Sequence, residues 1–574
     1  MESVIEFKDF TWKYKSQAEP TLFGLSFDIK KGEKVLICGP SGCGKSTIAH
    51  CLNGLIPFSY KGESGGSLRI FGKETKDLSL FDISKMVGTV LQDADGQFVG
   101  LTVAEDIAFA LENDCVPQTD LIRRVKETAD DVSVGSLLRN APNELSGGQK
   151  QRVSLAGVMV DNVPVLLFDE PLANLDPATG KHSIELIDEI QKKTRATVII
   201  IEHRLEDVLW RAVDRVILMN EGKIVCDTTP SDLLSSKYLY TYGIREPLYI
   251  TALKYAGLKI RPEIRPESIL SLTLPEEEKE KVRVWFDSVP ASPAKEENEV
   301  QLSVKGMDFT YDNGFRALKD VTFRVRKGEM LSIVGKNGAG KSTLSKALCG
   351  FVKPQKGTLT LRVGRTDVDM AQLSIKERAD HIGYVMQNPN QMISQVMIFD
   401  EVALGLRKRG VPEEEVTSRV EETLRICGLY PFRKWPVSAL SYGQKKRVTI
   451  ASILVLRPEI IILDEPTAGQ DYRHYTEIME FLRELNKTGV TVIMITHDMH
   501  LMLEYCERSL VITDGEIIAD TAPEKILTDD ALIERAYLKE TSLYSLSEIC
   551  GIKDGTAFTK AFIDIEKAQR EAGK

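Results

Sequence analysis

Two copies of one glycine-rich loop, 296 residues apart, constrain this chain more than any other feature. Each fits the pattern G-x-x-x-x-G-K-[ST], in which glycines let main-chain N–H groups point at phosphate oxygens. The pattern predicts a strand–loop–helix unit that binds a nucleoside triphosphate, present twice. The nucleotide-binding candidates in the loops are Gly39, Pro40, Ser41, Gly42, Cys43, Gly44, Lys45, Ser46 and Thr47, then Gly335, Lys336, Asn337, Gly338, Ala339, Gly340, Lys341, Ser342 and Thr343.

The rest of the chain repeats together with these loops. A shift of 294 to 296 residues aligns a glutamine, a serine-glycine motif, an Asp-Glu pair and a histidine in both halves. We therefore divide the chain into a first repeat (1–240), a helical tail with an acidic linker (241–300), a second repeat (301–530) and a C-terminal helical tail (531–574). The aligned residues are Gln92 with Gln387, Leu145-Ser-Gly-Gly-Gln149 with Leu440-Ser-Tyr-Gly-Gln444, Phe168-Asp-Glu-Pro171 with Leu463-Asp-Glu-Pro466, and His203 with His497.

The linker between the repeats is rich in proline and in acidic residues. Residues 261–300 contain five prolines, Pro293 among them, with ten acidic against six basic residues. This composition favours an exposed connector over a third core. Within it, Lys281-Val-Arg-Val-Trp-Phe286 could form a short strand.

The fold class predicted for each repeat is α/β with a mostly parallel core. Short apolar runs such as Val35–Cys38 lead into the glycine loops, and others end in Asp-Glu or lie just before a histidine. Buried parallel strands read as continuous apolar runs, and open α/β sheets bind ligands at the carboxyl ends of their strands.

The repeated polar residues match what cleavage of a γ-phosphate needs: neutralised charge, a held metal ion and an oriented water. Lys45 and Lys341 would supply positive charge. The proposed catalytic residues, which would orient or deprotonate the water and contact the phosphate, are Glu170, Glu465, His203 and His497. The proposed Mg²⁺ ligands are Ser46, Gln92, Asp169, Ser342, Gln387 and Asp464.

Composition narrows the class of protein further. A net charge of −10 argues against a nucleic-acid partner. No apolar run approaches the ~20 residues that span a bilayer, and the N-terminus lacks the features of a secretory signal. Nine cysteines without a C-x-x-C pair suit a reducing cytosol better than a disulfide scaffold or a zinc site.

Taken together, these motifs resemble the nucleotide-binding domain of ABC ATPases, twice over nearly the whole chain. The most specific element is Leu145-Ser-Gly-Gly-Gln149-Lys-Gln-Arg152. The resemblance implies a helical subdomain in each repeat, and two domains that close head to tail so that each ATP lies between the loop of one half and the serine-glycine motif of the other. The first site would then add Ser441, Gly443 and Gln444 to loop 39–47, and the second would add Ser146, Gly148 and Gln149 to loop 335–343. The family also stacks an upstream aromatic residue on adenine: Tyr311 fits in the second half, and either Trp12 or Tyr14 in the first.

The segment from Gln92 to Asp106 is similar to that of energy-coupling-factor ATPases, which drive uptake of vitamins or of cobalt and nickel ions. That group carries a second glutamine, matched by Gln97 and more loosely by Gln391. This resemblance implies an ATPase using ATP and Mg²⁺, peripheral on the cytoplasmic face of a bacterial or archaeal membrane. Its partners would be transmembrane subunits and a substrate-capturing membrane subunit.

Two departures from the family pattern predict unequal sites: Tyr442 replaces a glycine of the second serine-glycine motif, and Gln470 replaces a leucine. Two alternatives stay open. One is the fused ATPase of a sugar importer, in which a less intact second site is expected. The other is a ribosome-associated double ATPase, which the acidic linker disfavours because such proteins contact RNA through a basic one.

Overall fold

The computed structural model describes residues 2–92, 95–173, 175–290 and 298–572. The chain divides into two compact units, one of residues 1–285 with 549–551 and the other of residues 286–548 with 552–574. Pro293, predicted to lie in the linker, falls outside the described residues. Among the described residues, no helix is long and apolar enough to cross a membrane.

The first unit contains a six-stranded sheet of order β10-β9-β3-β8-β7-β6 and a four-stranded antiparallel sheet of order β2-β1-β4-β5. In the larger sheet only β10 runs antiparallel to its neighbour. The strands are β1 Ser3–Tyr14, β2 Leu22–Lys30, β3 Lys34–Cys38, β4 Gly62–Ile70, β5 Lys73–Glu74, β6 Val87–Val90, β7 Val165–Asp169, β8 Thr197–Ile201, β9 Arg215–Asn220 and β10 Lys223–Thr228.

Helices cover this sheet and form the subdomain between β6 and β7. Helices α4, α5 and α6 pack on one another there. The helices are α1 Lys45–Leu52, α2 Leu55–Phe58, α3 Leu80–Ser84, α4 Val103–Asn113, α5 Gln118–Asp131, α6 Gly147–Met159, α7 Pro177–Thr194, α8 Leu205–Val208, α9 Pro230–Ser235, α10 Tyr238–Thr241, α11 Leu248–Tyr255 and α12 Glu276–Ser288.

The second unit repeats both sheets, with orders β16-β17-β18-β13-β19-β20 and β12-β11-β14-β15. Its strands are β11 Val300–Thr310, β12 Arg316–Arg326, β13 Met330–Val334, β14 Lys356–Val363, β15 Thr366–Asp369, β16 Ile382–Val385, β17 Ile460–Asp464, β18 Thr491–Ile495, β19 Arg508–Thr513 and β20 Glu516–Thr521. Its helices are α13 Lys341–Cys349, α14 Ile375–Arg378, α15 Ile398–Arg407, α16 Glu413–Ile426, α17 Tyr442–Leu454, α18 Tyr472–Lys487, α19 Met499–Tyr505, α20 Pro523–Ile526, α21 Asp530–Ala536, α22 Ser542–Ile549 and α23 Gly555–Ala572.

The central strands of each large sheet are buried on both faces, and this positions the site. All five residues of β3, β8, β13 and β18 are buried. Asp169 is the last residue of β7 and pairs with Ile201, the last residue of β8. The polar residues that follow these parallel strands therefore meet at one edge. The predicted α/β fold with a mostly parallel core is confirmed, whereas the antiparallel sheet was not predicted.

The linker differs from its prediction in two respects. Residues 281–286 lie within helix α12 rather than in a strand. Ile264, Leu274 and Val282 are buried, and the hydroxyl of Tyr249 donates to the carbonyl of Pro266 at 2.7 Å. Proline and charge predicted exposure, but apolar residues spaced between them pack this part of the chain against its neighbours.

Candidate active sites

Each glycine loop connects a buried strand to a helix and encloses its lysine. Lys45 Nζ donates to the carbonyls of Gly39 at 2.8 Å and Pro40 at 2.9 Å. Lys341 Nζ makes the matching bonds, to Gly335 at 2.7 Å and Lys336 at 2.8 Å. Both lysines are buried. Because neutral main-chain oxygens accept these bonds, each ammonium group can exchange them for the stronger charge of a phosphate.

The first glycine of each loop is required by a close approach of two main chains. Gly39 and Gly335 have φ of 152° and 140°. A Cβ atom there would collide with the carbonyl oxygen of Met219 or of Ile512. Only glycine lets the loop pass this close to the neighbouring strand.

The two glutamates that follow the Asp of β7 and β17 share a rare main-chain conformation. Glu170 and Glu465 have φ of 47° and 46°. Their N–H groups donate to the carbonyls of Ile201 at 2.8 Å and Ile495 at 2.9 Å. A left-handed main-chain conformation costs on the order of 1–3 kcal/mol for a residue other than glycine. Residues in this conformation are often found at functional sites. In each half, this bond to the neighbouring strand fixes the main chain of the glutamate at the strand end.

In the first half, Gln92 and His203 both contact Glu170. Gln92 Nε2 donates to Glu170 Oε2 at 2.7 Å. His203 Nδ1 lies 3.8 Å from Glu170 Oε1 and 3.0 Å from Glu202 Oε1. The structure thus brings together three residues that are predicted from separate motifs.

The second half places its histidine differently. His497 Nε2 lies 3.5 Å from Glu465 Oε1, and its N–H donates to Glu465 Oε2 at 3.4 Å. Thr496 stands where the first half has Glu202. Gln387 is exposed, and its carbonyl accepts a bond from Lys446.

These arrangements shift the pKa values of the two glutamates in opposite directions. Burial raises the pKa of Glu170, but the hydrogen bond and charge of His203 outweigh it, so the pKa falls below its usual value. Burial raises the pKa of Glu465 and prevails over the opposing charge of Lys341. Without bound nucleotide, the first glutamate therefore favours its ionised form more than the second does.

The serine-glycine motifs begin helices α6 and α17. Ser146 and Ser441 are the N-cap residues, and each forms a capping box with the glutamine three positions on. Ser146 N donates to Gln149 Oε1 at 2.9 Å, and Ser441 N to Gln444 Oε1 at 3.0 Å. Gln149 and Gln444 thus fix the helix start, and both serines are exposed. The N-terminal end of a helix attracts anions.

Comparison with known families agrees with this geometry. A family model described as "ABC transporter" matches residues 22–173 and again 318–468, more than half of the chain. The chain belongs to the ABC transporter ATP-binding proteins. A second family model, described as "ATP-binding cassette cobalt transporter", matches residues 236–309.

Relatives of similar length carry the same description. An ABC transporter ATP-binding protein of Clostridium perfringens is 59% identical over 569 residues, 99% of both chains. One of Enterococcus faecalis is 56% identical over 576 residues, again 99% of both. A solved structure, cbiO1 of Clostridium perfringens, described as part of the ABC transporter complex cbiONQ, is 34% identical. It covers 41% of this chain and 94% of its own, with a TM-score of 0.38. The chain is an ABC transporter ATPase with two tandem P-loop domains.

A divalent cation suits the carboxylate side of the first ATPase site. Asp169 Oδ1 is buried and has no hydrogen-bond partner among the described residues. Burial and the neighbouring Glu170 raise the pKa of Asp169 to about 6, and a cation would reverse that effect. Ser46 and Ser342 are exposed at the start of α1 and α13. Asp464 differs, because its Oδ2 accepts from the hydroxyl of Tyr384 at 2.9 Å.

The structure separates the two aromatic candidates of the first half. Trp12 is 1% exposed, so no base can stack on it, and its prediction as an adenine-binding residue was wrong. Tyr14 is half-buried, and its hydroxyl donates to Thr47 Oγ1 at 3.2 Å. The Tyr311 hydroxyl lies 3.0 Å from Thr343 Oγ1 in the second half. Tyr14 is therefore the structural counterpart of Tyr311.

Gln97, the second glutamine of the segment that begins at Gln92, makes two hydrogen bonds with the main chain. Gln97 Oε1 accepts from the N–H of Leu91 at 3.2 Å, and its Nε2 donates to the carbonyl of Thr89 at 3.0 Å. In the second half Met392 Sδ accepts from Met386 N at 3.1 Å. The counterpart of Gln97 is therefore Met392, and the looser match to Gln391 was wrong.

Sequence reasoning missed two asymmetric residues. Lys446, on helix α17, is buried and contacts the main chain at Gln387. The first half has Gln151 at the position of Lys446. Glu202, next to His203, is buried where the second half has Thr496. In both cases a mismatch between otherwise aligned repeats, beside a motif residue, was the available signal.

Proposed function

We propose that this ABC transporter ATPase hydrolyses ATP at two composite sites and powers an importer of the energy-coupling-factor type. The imported substrate would be a vitamin, a vitamin precursor, or a cobalt or nickel ion. The observation that carries the proposal is that both halves keep a complete set of lysine, strand-end carboxylates and histidine. A sugar-importer ATPase with a less intact second site fits this observation less well.

The residues of each half have distinct tasks in the proposed reaction. A water oxygen bonds to the γ-phosphorus while the bond to the β–γ bridging oxygen breaks, giving ADP and phosphate. Glu170 or Glu465 orients that water and accepts its proton. Lys45 or Lys341 neutralises phosphate charge, and His203 or His497 contacts the γ-phosphate. Bound Mg²⁺, held by the serine and aspartate of each half, would neutralise further phosphate charge.

Completion of each site by the other half is also part of the proposal. The support is the family resemblance, together with the exposed N-cap serines of helices α6 and α17. In this arrangement Ser441 and Gly443 would serve the first site, and Ser146 and Gly148 the second. Tyr442 would then border the first site only.

The uptake class rests on the family description that matches residues 236–309. This region holds the helical tail of the first repeat and lies outside both matches to the general ABC transporter model. Such an ATPase would work at the cytoplasmic face of the membrane with transmembrane subunits and a substrate-capturing membrane subunit.

The test is to purify the full chain from its native membranes in mild detergent and to identify the proteins that accompany it. A small membrane subunit carrying a bound vitamin or metal ion supports the proposal. A soluble sugar-binding protein, or ribosomal proteins, would overturn the uptake class. A Lys45→Ala, Lys341→Ala double variant is the matched control, because it should keep the partners and lose ATP turnover.

A further inference from the structure

Glu202 is a buried carboxylate that the proposed reaction does not use. It directly follows strand β8 and is 1% exposed. Its Oε1 accepts from the N–H of His203 at 2.8 Å and of Arg204 at 3.2 Å. Its Oε2 accepts from the N–H of Leu172 at 3.3 Å. One carboxylate therefore joins the loop after β8 to the loop after β7.

Two basic side chains lie close to the carboxylate of Glu202. His203 Nδ1 lies 3.0 Å from its Oε1, and Arg204 Nε lies 4.0 Å from the same oxygen. Arg204 also donates to the carbonyl of Leu172. A buried carboxylate is tolerated when hydrogen-bond donors and cations surround it, and removing one partner of such a set is costly.

The second half has no equivalent carboxylate. Thr496, 0% exposed, accepts the N–H of Asp498 on its Oγ1 at 2.9 Å. The sequence Glu202-His-Arg204 thus becomes Thr496-His-Asp498. Before the histidine, the second half therefore has a neutral residue instead of a negative one, and after it a negative residue instead of a positive one.

We propose that Glu202 is a positioning residue of the first ATP site, which holds His203 by Nδ1 so that Nε2 is left to donate to the γ-phosphate. This inference rests on the proposed role of His203. A carboxylate that accepts from Nδ1–H orients the ring, as it does in metal sites, and it stabilises the imidazolium form, in which Nε2 also carries a proton to donate. The second site lacks this carboxylate, because Thr496 stands in its place.

The electrostatics of the first site agree with this role. Burial lowers the pKa of His203, and the guanidinium of Arg204 also lowers it. The carboxylates of Glu202 and Glu170 raise the pKa by more than these two effects lower it. The net effect is a pKa above the usual histidine value. A cationic imidazole attracts the γ-phosphate more strongly than a neutral one.

Reciprocal exchange between the halves tests the role of Glu202. We would prepare the full chain as Glu202→Thr, Glu202→Gln and Thr496→Glu, and follow the histidine Cε1–H signals by NMR across pH, assigning them with His203→Gln and His497→Gln. In both Glu202 variants the His203 titration should move to lower pH while that of His497 stays. Thr496→Glu should move the His497 titration to higher pH. A His203 titration that is unchanged in Glu202→Gln would overturn the proposal. If neither Glu202 variant folds, an unchanged His497 titration in Thr496→Glu would overturn the proposal instead.

ATP turnover separates this inference from the proposed function. Glu202→Thr should lower kcat about 10-fold, by analogy with residues that orient metal ligands. In a His203→Gln background the same change should have no further effect, since the residue it positions is gone. Additive losses would overturn the positioning role. If His203→Gln alone left turnover unchanged, the proposed function of His203 would fail, whereas the NMR result would still stand.

Discussion

Lys446 Nζ donates to the main-chain oxygen of Gln387 at 2.7 Å and to that of Met386 at 2.9 Å. The Tyr442 hydroxyl reaches the same Gln387 oxygen at 3.4 Å. Two side chains of the serine-glycine helix α17 therefore hold the main chain at the predicted metal-ligating glutamine of the second half. The first half has Gly147 and Gln151 at these positions. This contact predicts a measurable dependence of stability on pH.

Burial lowers the pKa of Lys446 to about 8, although the charges of Asp464 and Glu465 oppose the shift. Between pH 8 and the unfolded value near 10.5, the unfolded chain binds more protons, so stability rises with pH. Below pH 8 the folded state carries the full cost of the buried charge. We expect the free energy of unfolding of the native chain, relative to Lys446→Met, to increase between pH 7 and 9.5 by about 2 kcal/mol.

Urea unfolding of both proteins at several pH values measures this difference. Tyr442→Phe is the control, because it removes a bond to Gln387 without altering the ammonium group. Its difference from the native chain should stay flat over the same range. A flat difference for Lys446→Met would show that the lysine is not desolvated.

The parts of this fold that sequence predicts best are those dictated by short local patterns. The glycine loops, the strands before them and the Asp-Glu strand ends follow from apolar runs and from the main-chain freedom of glycine. The linker was mispredicted because charge dominates the composition of Glu276–Ser288 and prolines flank it, while the burial of Val282 depends on packing that no local pattern encodes.

Contacts between distant residues explain what could not be predicted in the site. Trp12 and Tyr14 are equally aromatic in sequence and share one face of strand β1. Only the packing around each residue determines that Trp12 is buried, while Tyr14, the last residue of the strand, is half-buried. Glu202 differs from a surface glutamate only through the loops that fold over it. The motif residues themselves were found because the repeat shows each of them twice.

The two strand-end glutamates predict a strong loss of ATP turnover on removal of their charge. Glu170→Gln and Glu465→Gln keep the side-chain size but cannot accept a proton from water. Each should lower turnover of the assembled transporter by about 100-fold or more. Release of phosphate is the measurement. Glu221→Gln is the control, because Glu221 shares the unusual φ of 47° but is exposed outside the site. Unchanged turnover in either site variant would contradict two working sites.

The aromatic residues before each glycine loop predict separable effects on binding and stability. Tyr14→Ala and Tyr311→Ala should each weaken ATP binding about 10-fold, because a stacked base contributes on the order of 1–3 kcal/mol. Trp12→Phe should lower the thermal midpoint, since it opens a cavity in the core, and leave ATP affinity unchanged. Titration of each variant with a fluorescent ATP analogue, in parallel with thermal unfolding, measures both quantities. A loss of affinity confined to Trp12→Phe would reverse our choice of Tyr14.

Exposed apolar side chains just before helices α4 and α15 predict where the membrane subunits bind. Leu101 is 82% exposed and Val396 74% exposed. The loop before each of them is fixed by one carboxylate. Asp106 Oδ1 accepts from the N–H of Val99 at 2.8 Å and of Gly100 at 3.1 Å. Glu401 does the same for the loop before Val396. An exposed apolar side chain on a fixed loop, present in both halves, is more typical of a protein interface than of a turn that faces solvent.

Leu101→Asp and Val396→Asp should therefore each reduce the amount of membrane subunit that purifies with the chain, by at least about 10-fold if the apolar side chain contributes about 1.4 kcal/mol or more. ATP hydrolysis by the detached chain should not change, because neither side chain belongs to the proposed catalytic set. The matched control for placing a charge on an apolar surface position is Ile122→Asp. The Ile122 side chain lies on helix α5 and is 58% exposed. If this control released the membrane subunit as completely as the two loop variants do, the interface would extend over the helical subdomain rather than centre on the two loops. Full retention of the partner by both loop variants would show that the membrane subunits bind elsewhere.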